Sequence, residues 1–128
     1  MPSWDAYKSE AASRGALALE LYVVQSTPAG SMEAVKANLP EHLAYQSTLE
    51  TQGKLVVAGP VSDESGDNME GAGQIIYRAE SLEAARSLAD ADPMHAAGAR
   101  TYTLRRWLVN EGSLTVSVKL AAQRVELG

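Results

Sequence analysis

The sequence has 128 residues, and 11 basic against 16 acidic side chains give it a net charge of −5 at pH 7. This length suits a single domain, and a hydrophobic content of 45% is sufficient for a buried core, which must be mainly aliphatic because phenylalanine is absent. The lack of cysteine excludes disulfides, thiolate metal sites and a cysteine nucleophile, and the acidic balance argues against nucleic acid as a partner.

No segment has the pattern of a secretory signal or a membrane helix. The N-terminus lacks the apolar run of a signal, and stretches such as Leu55–Ala58 are much shorter than the roughly 20 residues that span a bilayer. We therefore expect a cytoplasmic protein without a membrane partner.

The N-terminal half of the chain predicts two helices and two strands. Periodicity and turn residues predict, in order, a helix from Trp4 to about Arg14, a strand from Leu17 to Val24, a helix from about Pro40 to Gln52 and a strand from Lys54 to Gly59. The first helix begins after a Ser3 cap and ends at Gly15. Pro40 is interpreted as the start of the main helix, because an N–H group in the first turn has no partner within the helix and proline lacks this group. Ser31 is expected to cap only a turn or two of helix before it. Gly53 fits the left-handed position after the last turn.

The C-terminal half predicts three strands and one helix. These elements are a strand from Gln74 to Ala79, a helix over Leu82–Ala91, a strand from Arg100 to Val109 and a strand from Leu114 to Leu120. Ser81 caps the helix, and Asp92-Pro93 ends it. Residues 61–73 are predicted to form a polar loop, and residues 110–112 to form a hairpin turn between the last two strands.

Between the two ends, the elements follow the order strand, helix, strand, strand, helix, strand. This order predicts an α+β, ferredoxin-like fold, with an antiparallel sheet and both helices on one face. A monomer would leave the other face bare, so we expect a homodimer, or a higher homo-oligomer, that closes a cavity lined by the sheet. Residues 1–128 are expected to form one domain, with an N-terminal helical extension (1–16), a core (17–109) and a C-terminal strand extension (110–128).

His42 is the first candidate for catalysis. It lies early in the main helix, and Tyr45, Gln46 and Leu49 share its face at helical spacing. Imidazole can take and give a proton near neutral pH, although a histidine near a helix start is more often simply hydrogen-bonded or solvated. Asp92, at a helix end, is either a helix stop before a turn or the carboxylate that orients a histidine.

A metal site has weak support in the sequence. His42, Asp92 and His95 would supply a known ligand set, but no compact ligand motif joins them. The acidic loop that begins at Asp63 fails the calcium pattern, which needs glycine at its sixth position and glutamate at its twelfth. We therefore expect no metal and no cofactor.

Arginines are concentrated around the last strands of the predicted core. They are Arg78, Arg100, Arg105 and Arg106. Arg105 and Arg106 must point to opposite sides of a regular strand. One of the arginines can meet an anionic ligand inside the cavity, whereas surface positions or interface ion pairs are the simpler expectation.

A set of short motifs resembles the YCII-related family. The motifs are His42-Leu43-Ala44, Gly53-Lys54-Leu55, Ala58-Gly59-Pro60, Ser81-Leu82-Glu83-Ala84-Ala85, Ala91-Asp92-Pro93 and Ala97-Gly98. Each motif is weak alone, but their order and spacing agree with the family from about Leu21 to Trp107. The resemblance implies a dimeric α+β barrel of ferredoxin-like protomers, which agrees with the order of the predicted elements.

The resemblance also implies a function. It implies a His–Asp dyad in which His42 is the histidine and Asp92 is the best match for the acid. Relatives resemble small lyases or dehydrochlorinases, and the similar barrel of muconolactone isomerases transfers protons. The implied protein is a cofactor-independent acid/base enzyme of lyase, dehydrochlorinase or isomerase type, which acts on a small cyclic or aromatic-derived metabolite in the dimer cavity. The expected lining of the substrate pocket is Tyr45, Gly59, Pro60 and Met94.

Departures from the family pattern affect these expectations. Met94 stands where relatives usually have an aromatic residue after Asp-Pro, and this reshapes the pocket wall. The N-terminal helix and the last strand are additions that bear on cavity access and assembly size. Two other functions fit the same sequence. One is a non-catalytic dimer that binds a small anionic metabolite with His42 as a wall residue, and the other is a structural protein that assembles through the extra strand.

Overall fold

The computed structural model describes residues 1–128, and their contacts divide the chain into two compact units. The larger unit comprises residues 20–107, and the smaller one comprises residues 1–19 together with residues 108–128. No helix in either unit is long and apolar enough to cross a membrane. The elements follow one another as α1 (Trp4–Ser13), β1 (Leu19–Pro28), α2 (Met32–Thr51), β2 (Leu55–Ser62), β3 (Met69–Tyr77), α3 (Leu82–Ala91), α4 (Pro93–Ala96), β4 (Arg100–Val109), β5 (Val116–Lys119) and β6 (Arg124–Leu127).

The sheet of the larger unit has four strands in the order β2-β3-β1-β4. β3 lies antiparallel to both β1 and β2, and Ile75 at its centre is opposite Val24 on one side and Ala58 on the other. The helix α2 connects β1 to β2, whereas α3 and α4 connect β3 to β4. This is the ferredoxin-like α+β arrangement of a dimeric-barrel protomer, so the predicted fold class is confirmed.

The hydrophobic core lies between one face of the sheet and the helices α2 and α3. Its buried members are Tyr22, Val24, Leu49, Ile75, Tyr77, Ala85 and Ala89. The strand residues of this set are spaced two apart and therefore share one face of the sheet. Leu49 of α2 and Ala85 and Ala89 of α3 meet the same face, so both helices cover it. The opposite face is not bare throughout, because Leu21 and Ile76 are buried there.

The helix α2 is longer than predicted, because one continuous helix spans Met32–Thr51 and contains Pro40 in its interior. The prediction that the main helix begins at Pro40 is wrong. The Ser31 side chain accepts the N–H three residues on and caps the whole helix. An interior proline removes one backbone hydrogen bond, here to the carbonyl of Lys36, and the helix continues despite this loss. Gly53 follows the helix with a φ of +75°, as predicted.

β1 and β2 end later than predicted and β3 begins earlier, which shortens the loop between β2 and β3, whereas β1 begins at Leu19 rather than Leu17 and β3 ends at Tyr77 rather than Ala79. β1 runs to Pro28, β2 continues through Pro60 to Ser62, and β3 begins at Met69. The loop therefore covers residues 63–68 rather than 61–73. β2 is an edge strand, where proline is tolerated because no second neighbour needs its N–H. The pairing of β2 with β3 shifts between Pro60 and Ser62, and this irregularity hides the alternating pattern of a strand.

The elements α3 and β4 have the predicted bounds. Ser81 caps α3 by accepting the N–H of Ala84 with its side chain. At Asp92 the chain passes from α3 directly into the short helix α4, which begins with Pro93. The turn predicted after α3 is therefore one helical turn.

The smaller unit contains α1 and a two-stranded ribbon. Ser3 caps α1 as predicted, and Gly15 follows the helix with a φ of +89°. β5 pairs antiparallel with β6, so the predicted hairpin between β4 and the last strand is wrong. Sequence reasoning does not predict β6, because the turn before it contains neither glycine nor proline. Gln123 itself takes the positive φ of +52° in that turn.

Candidate active site

His42 and Asp92 form a close pair in the larger unit. Nδ1 of His42 lies 2.8 Å from Oδ1 and 2.8 Å from Oδ2 of Asp92. The Asp92 side chain is 0% exposed, whereas the His42 side chain is 16% exposed. The pair therefore combines a fully buried acid with a histidine that keeps some access to solvent.

The junction between α3 and α4 positions the acid of this pair. Asp92 is both the residue that follows α3 and the N-cap of α4, with Pro93 in the first helical position. Oδ1 of Asp92 accepts the backbone N–H of Met94 at 2.9 Å. A carboxylate is unfavourable at the C-terminus of a helix but favourable at an N-terminus, where it satisfies a free N–H group. The Asp-Pro sequence therefore holds the carboxylate in a defined place against α2, which carries His42.

The contact with Asp92 determines the protonation pattern of the His42 ring. An ionised carboxylate can only accept, so Nδ1 of His42 carries the proton and donates it to Asp92. In a neutral ring, Nε2 then has the lone pair and can take a proton from a bound molecule. Asp92 also stabilises the imidazolium that would form. The arrangement can act as a general base and, after proton uptake, as a general acid.

A cavity of about 480 Å³ opens beside His42 within the larger unit. Apolar residues of α2 and of the sheet form much of its wall, among them Met32, Val35, Leu39, Leu43 and Ile75. Gly59, Pro60 and Met94, which are residues expected in the substrate pocket, also line it. No Asp, Glu or Lys side chain lines the cavity, and Arg100 and His42 are its only basic wall residues. This volume and mostly apolar wall suit a small organic molecule.

Tyr45, the other residue expected in the pocket, does not line this cavity. Its ring packs against the buried core, and its hydroxyl donates to the carbonyl of Leu88 at 2.7 Å. Burial and the nearby charge of Asp92 raise the pKa of the Tyr45 phenol. Tyr45 lies one turn beyond His42, where α2 faces α3 rather than the cavity, and this explains why a shared helical face does not place both residues in the wall.

A second polar network borders the same cavity. Nε of Arg100 donates to Oγ of Ser26 at 2.8 Å, and Nη2 donates to the carbonyl of Ser26 at 2.8 Å. Nε2 of His95 lies 2.9 Å from Oγ of Ser26, while Nδ1 of His95 lies 2.8 Å from the carbonyl of Ala89. Both ring nitrogens of His95 have protein partners, so His95 is not available as a third ligand beside the His–Asp pair. The structure contains no group of three or more His, Cys, Asp or Glu side chains that could hold a metal ion.

Sequence reasoning does not identify Ser26, and it does not select Arg100 from the other arginines. These two residues are 74 positions apart, and only the pairing of β1 with β4 brings them together. The one local signal for Ser26 is its spacing, because it continues the alternate positions Tyr22 and Val24 of β1, and like them it is buried, at 4% exposed. Arg78, Arg105 and Arg106 are exposed and do not line the cavity.

A ferredoxin-like protomer with a His–Asp pair beside a mostly apolar cavity defines a small α+β protein of the dimeric-barrel class. The family model of the YCII-related domain matches residues 20–108 of the chain. The protein belongs to the YCII-related family. The resemblance inferred from the ordered motifs is thereby confirmed.

Curated relatives and a solved structure support the same placement. Protein YciI of Escherichia coli O6:H1 is 40% identical over 83 residues, which cover 61% of this chain and 85% of the relative. Uncharacterized protein YjpA of Bacillus subtilis is 32% identical over 66 residues, which cover 52% of this chain and 71% of the relative. The 5-chloro-2-hydroxyhydroquinone dehydrochlorinase TftG from Burkholderia phenoliruptrix AC1100, solved in complex with 2,5-dihydroxybenzoquinone, has a TM-score of 0.56 and 26% identity. That match covers 70% of this chain and 93% of TftG, so the protein shares its fold with a small-molecule enzyme.

Proposed function

We propose that the protein is a cofactor-independent acid/base enzyme that acts on a small cyclic or aromatic-derived metabolite. The observation that carries this proposal is the 2.8 Å contact between Nδ1 of His42 and Asp92 at a mostly apolar cavity. The fold shared with a dehydrochlorinase supports a proton-transfer reaction of lyase, dehydrochlorinase or isomerase type.

The proposed reaction begins when Nε2 of His42 removes a proton from the bound molecule. Nδ1 keeps its own proton and donates it in the hydrogen bond to Asp92. The imidazolium therefore forms beside a carboxylate that stabilises its positive charge. In an isomerisation, Nε2 returns the proton to another atom of the same molecule. In an elimination, a group such as chloride departs with its bonding electrons, and the proton passes to solvent. Both routes balance without an external oxidant or reductant.

A second copy of the chain is the proposed partner that completes the cavity. Part of the cavity wall is apolar and between 43% and 68% exposed, namely Met32, Leu39, Leu43 and Met69. Burying these side chains against another copy would remove apolar surface from water and would shield His42 from bulk solvent.

Release of chloride from 5-chloro-2-hydroxyhydroquinone tests the enzymatic proposal, because this compound is named in the activity of TftG. We expect turnover by the wild-type protein and a fall in kcat of about 100- to 10,000-fold in His42→Asn. Glu41→Gln is the matched control, since Glu41 is the exposed neighbour of His42 on α2 and should not affect turnover. A panel of other chlorinated and hydroxylated rings extends the assay. Wild-type kcat in His42→Asn would contradict the proposal.

Binding without conversion would indicate a carrier rather than an enzyme. A thermal-shift titration with 2,5-dihydroxybenzoquinone, the ligand in the TftG structure, measures binding alone. The enzymatic proposal fails if compounds of the panel stabilise the protein but are recovered unchanged, and if His42→Asn only weakens their binding.

A further inference from the structure

We infer that Arg100 makes the cavity selective for small cyclic anions, such as enolates, phenolates or aryl carboxylates, by binding the negative oxygen through Nη1. This inference rests on the proposed function and deepens it, because it names the substrate class of the same cavity. The observation behind this inference is the charge of the cavity wall. Arg100 is the only lining residue with a permanent charge, and no acidic side chain lines the cavity.

The hydrogen bonds of Arg100 leave one side of its guanidinium free. Nε and Nη2 donate to Ser26, and Nη2 also donates to the carbonyl of Gly71. A guanidinium has five N–H groups, so both N–H groups of Nη1 remain without a partner in the protein. All the partners of Arg100 are neutral, and no carboxylate touches it. Its positive charge is therefore available to a bound anion.

Asp92 affects Arg100 only through its charge at a distance, and it does not compete with an anionic ligand for the guanidinium. Burial lowers the pKa of the Arg100 guanidinium, and the negative charge of Asp92 opposes this shift. The Asp92 carboxylate is fully buried, and it is occupied by Nδ1 of His42 and the N–H of Met94. Because Asp92 is not part of the cavity wall, an anion there meets the guanidinium and the imidazole but not the carboxylate.

The neighbours of Arg100 hold the guanidinium in place before any ligand binds. In a neutral His95 ring, Nδ1 donates to its carbonyl acceptor and Nε2 accepts, so the Ser26 hydroxyl donates to His95 and accepts from Arg100. Gly71 has a φ of +88°, and a Cβ there would lie 2.9 Å from Cγ of Pro28. Glycine is therefore required where the chain turns its carbonyl toward Arg100. A cation held in this way loses little conformational freedom on binding.

This arrangement suits a ring that carries a negative oxygen. The apolar wall can contact the faces of the ring, while Nη1 of Arg100 binds the oxygen in a charge-assisted hydrogen bond. His42 can then remove a proton from another position of the same ring. Arg100 would also stabilise negative charge that develops on the oxygen as the proton leaves.

Calorimetric titration with two anions and one uncharged ring tests the inference. The anions are 2,5-dihydroxybenzoquinone and benzoate, which separate an enolate from a carboxylate, and the uncharged ring is hydroquinone. We expect the wild-type protein to bind at least one anion about tenfold more tightly than hydroquinone, with a preference that falls as ionic strength rises. Arg100→Gln should lose at least about tenfold of the anion affinity and keep the affinity for hydroquinone, and Arg100→Lys should restore part of the loss.

Arg105→Gln is the matched control, because it removes the same charge from an exposed position of the same strand and should bind like the wild type. The inference would be overturned if the wild-type protein bound the anions and hydroquinone with equal affinity, or bound neither anion. This comparison uses only the wild-type protein, so it does not depend on whether a variant folds. An equal loss of both ligand types in Arg100→Gln would also overturn it, since Arg100 would then only support the strands. Failure of the proposed function looks different: anions would bind in an Arg100-dependent way without being converted.

Discussion

Asp92 accepts the backbone N–H of Met94 through Oδ1, the same oxygen that lies 2.8 Å from Nδ1 of His42. One carboxylate therefore caps α4 and orients the candidate base. Both contacts are made away from water, because the Asp92 side chain is fully buried. Substitution can separate the two roles, since an amide oxygen still caps a helix whereas an amide nitrogen donates to the imidazole.

Asp92→Asn is predicted to keep most of the stability and to lose most of the activity. Asparagine caps helices about as well as aspartate, so the free energy of unfolding should fall by less than about 1.5 kcal/mol. The amide would donate to Nδ1 and move the ring proton of His42 to Nε2, where a base needs a lone pair. We therefore expect kcat to fall by about 100- to 10,000-fold. Urea unfolding and chloride release measure the two quantities.

Asp92→Ala, in contrast, should lose both properties. It leaves the Met94 N–H and Nδ1 of His42 without a partner, at a cost of about 2–4 kcal/mol in the free energy of unfolding. Asp67→Asn makes the same chemical change as Asp92→Asn at an exposed loop position, and it should behave like the wild type. An equal loss of stability in Asp92→Asn and Asp92→Ala would contradict the capping role, and full activity of Asp92→Asn would contradict the orienting role.

Local signals explain which elements could be predicted from the sequence. The bounds of α3 follow from Ser81, which caps its first turn, and from Asp92-Pro93, which ends it. Pro40 has two possible positions in a helix, because proline is common at a helix start but can also lie in the interior at the cost of one backbone hydrogen bond. Which position Pro40 takes depends on tertiary contacts of α2, and these cannot be deduced from the neighbouring residues.

The candidate site depends on contacts between distant parts of the chain. His42 and Asp92 are 50 positions apart, so the ordered family motifs were needed to suggest that they pair. Their catalytic role stays a prediction. Ser26 and Arg100 meet because β1 lies beside β4, and no motif of either residue reports this contact. The sequence therefore predicts the His–Asp pair but does not indicate which arginine lines the cavity.

Tyr77 and Tyr45 are core phenols with opposite hydrogen-bond status. The buried hydroxyl of Tyr77 has no hydrogen-bond partner, whereas that of Tyr45 donates to the carbonyl of Leu88. Tyr77→Phe should leave the free energy of unfolding unchanged or raise it by about 1 kcal/mol, because it removes an unpaired buried polar group. Tyr45→Phe is the matched comparison and should cost about 1 kcal/mol. Urea unfolding measures both, and a larger loss in Tyr77→Phe than in Tyr45→Phe would contradict this assignment.

We expect the buried phenol of Tyr77 to make the protein less stable at high pH. Burial raises the pKa of Tyr77 above its ordinary value of 10.0, and the charge of Asp92 acts in the same direction. As the pH rises past that value, the unfolded chain releases the phenolic proton while the folded protein keeps it, so unfolding becomes more favourable. The contribution of Tyr77 to stability is therefore complete below pH 10.0 and declines as the pH rises above it. Urea unfolding between about pH 9 and pH 11 should show a shallower decline in Tyr77→Phe than in the wild type, and equal slopes would contradict the prediction.

Pro40→Ala is predicted to stabilise α2. Pro40 is exposed, so its replacement removes no core packing, and alanine supplies an N–H for the carbonyl of Lys36. The free energy of unfolding should rise by about 1–3 kcal/mol in urea titrations. Glu41→Ala at the next exposed position removes a surface charge and changes helix propensity without supplying a backbone N–H, and it should shift stability by less than about 0.5 kcal/mol. A less stable Pro40→Ala protein would show that the proline itself fits a backbone distortion that the helix needs.

The ribbon of β5 and β6 has one apolar and one polar face. Val116 lies opposite Leu127 and Val118 opposite Val125, and all of these side chains are more than half exposed. A two-stranded ribbon alone is marginally stable in water, so we predict that its apolar face packs against another copy and joins dimers into a larger homo-oligomer. Replacing Val118 and Val125 together by serine should lower the mass measured by light scattering, because it removes the apolar surface of the contact. Ser117→Ala on the polar face should leave the mass unchanged, and an unchanged mass in the double variant would show that the ribbon does not join copies of the chain.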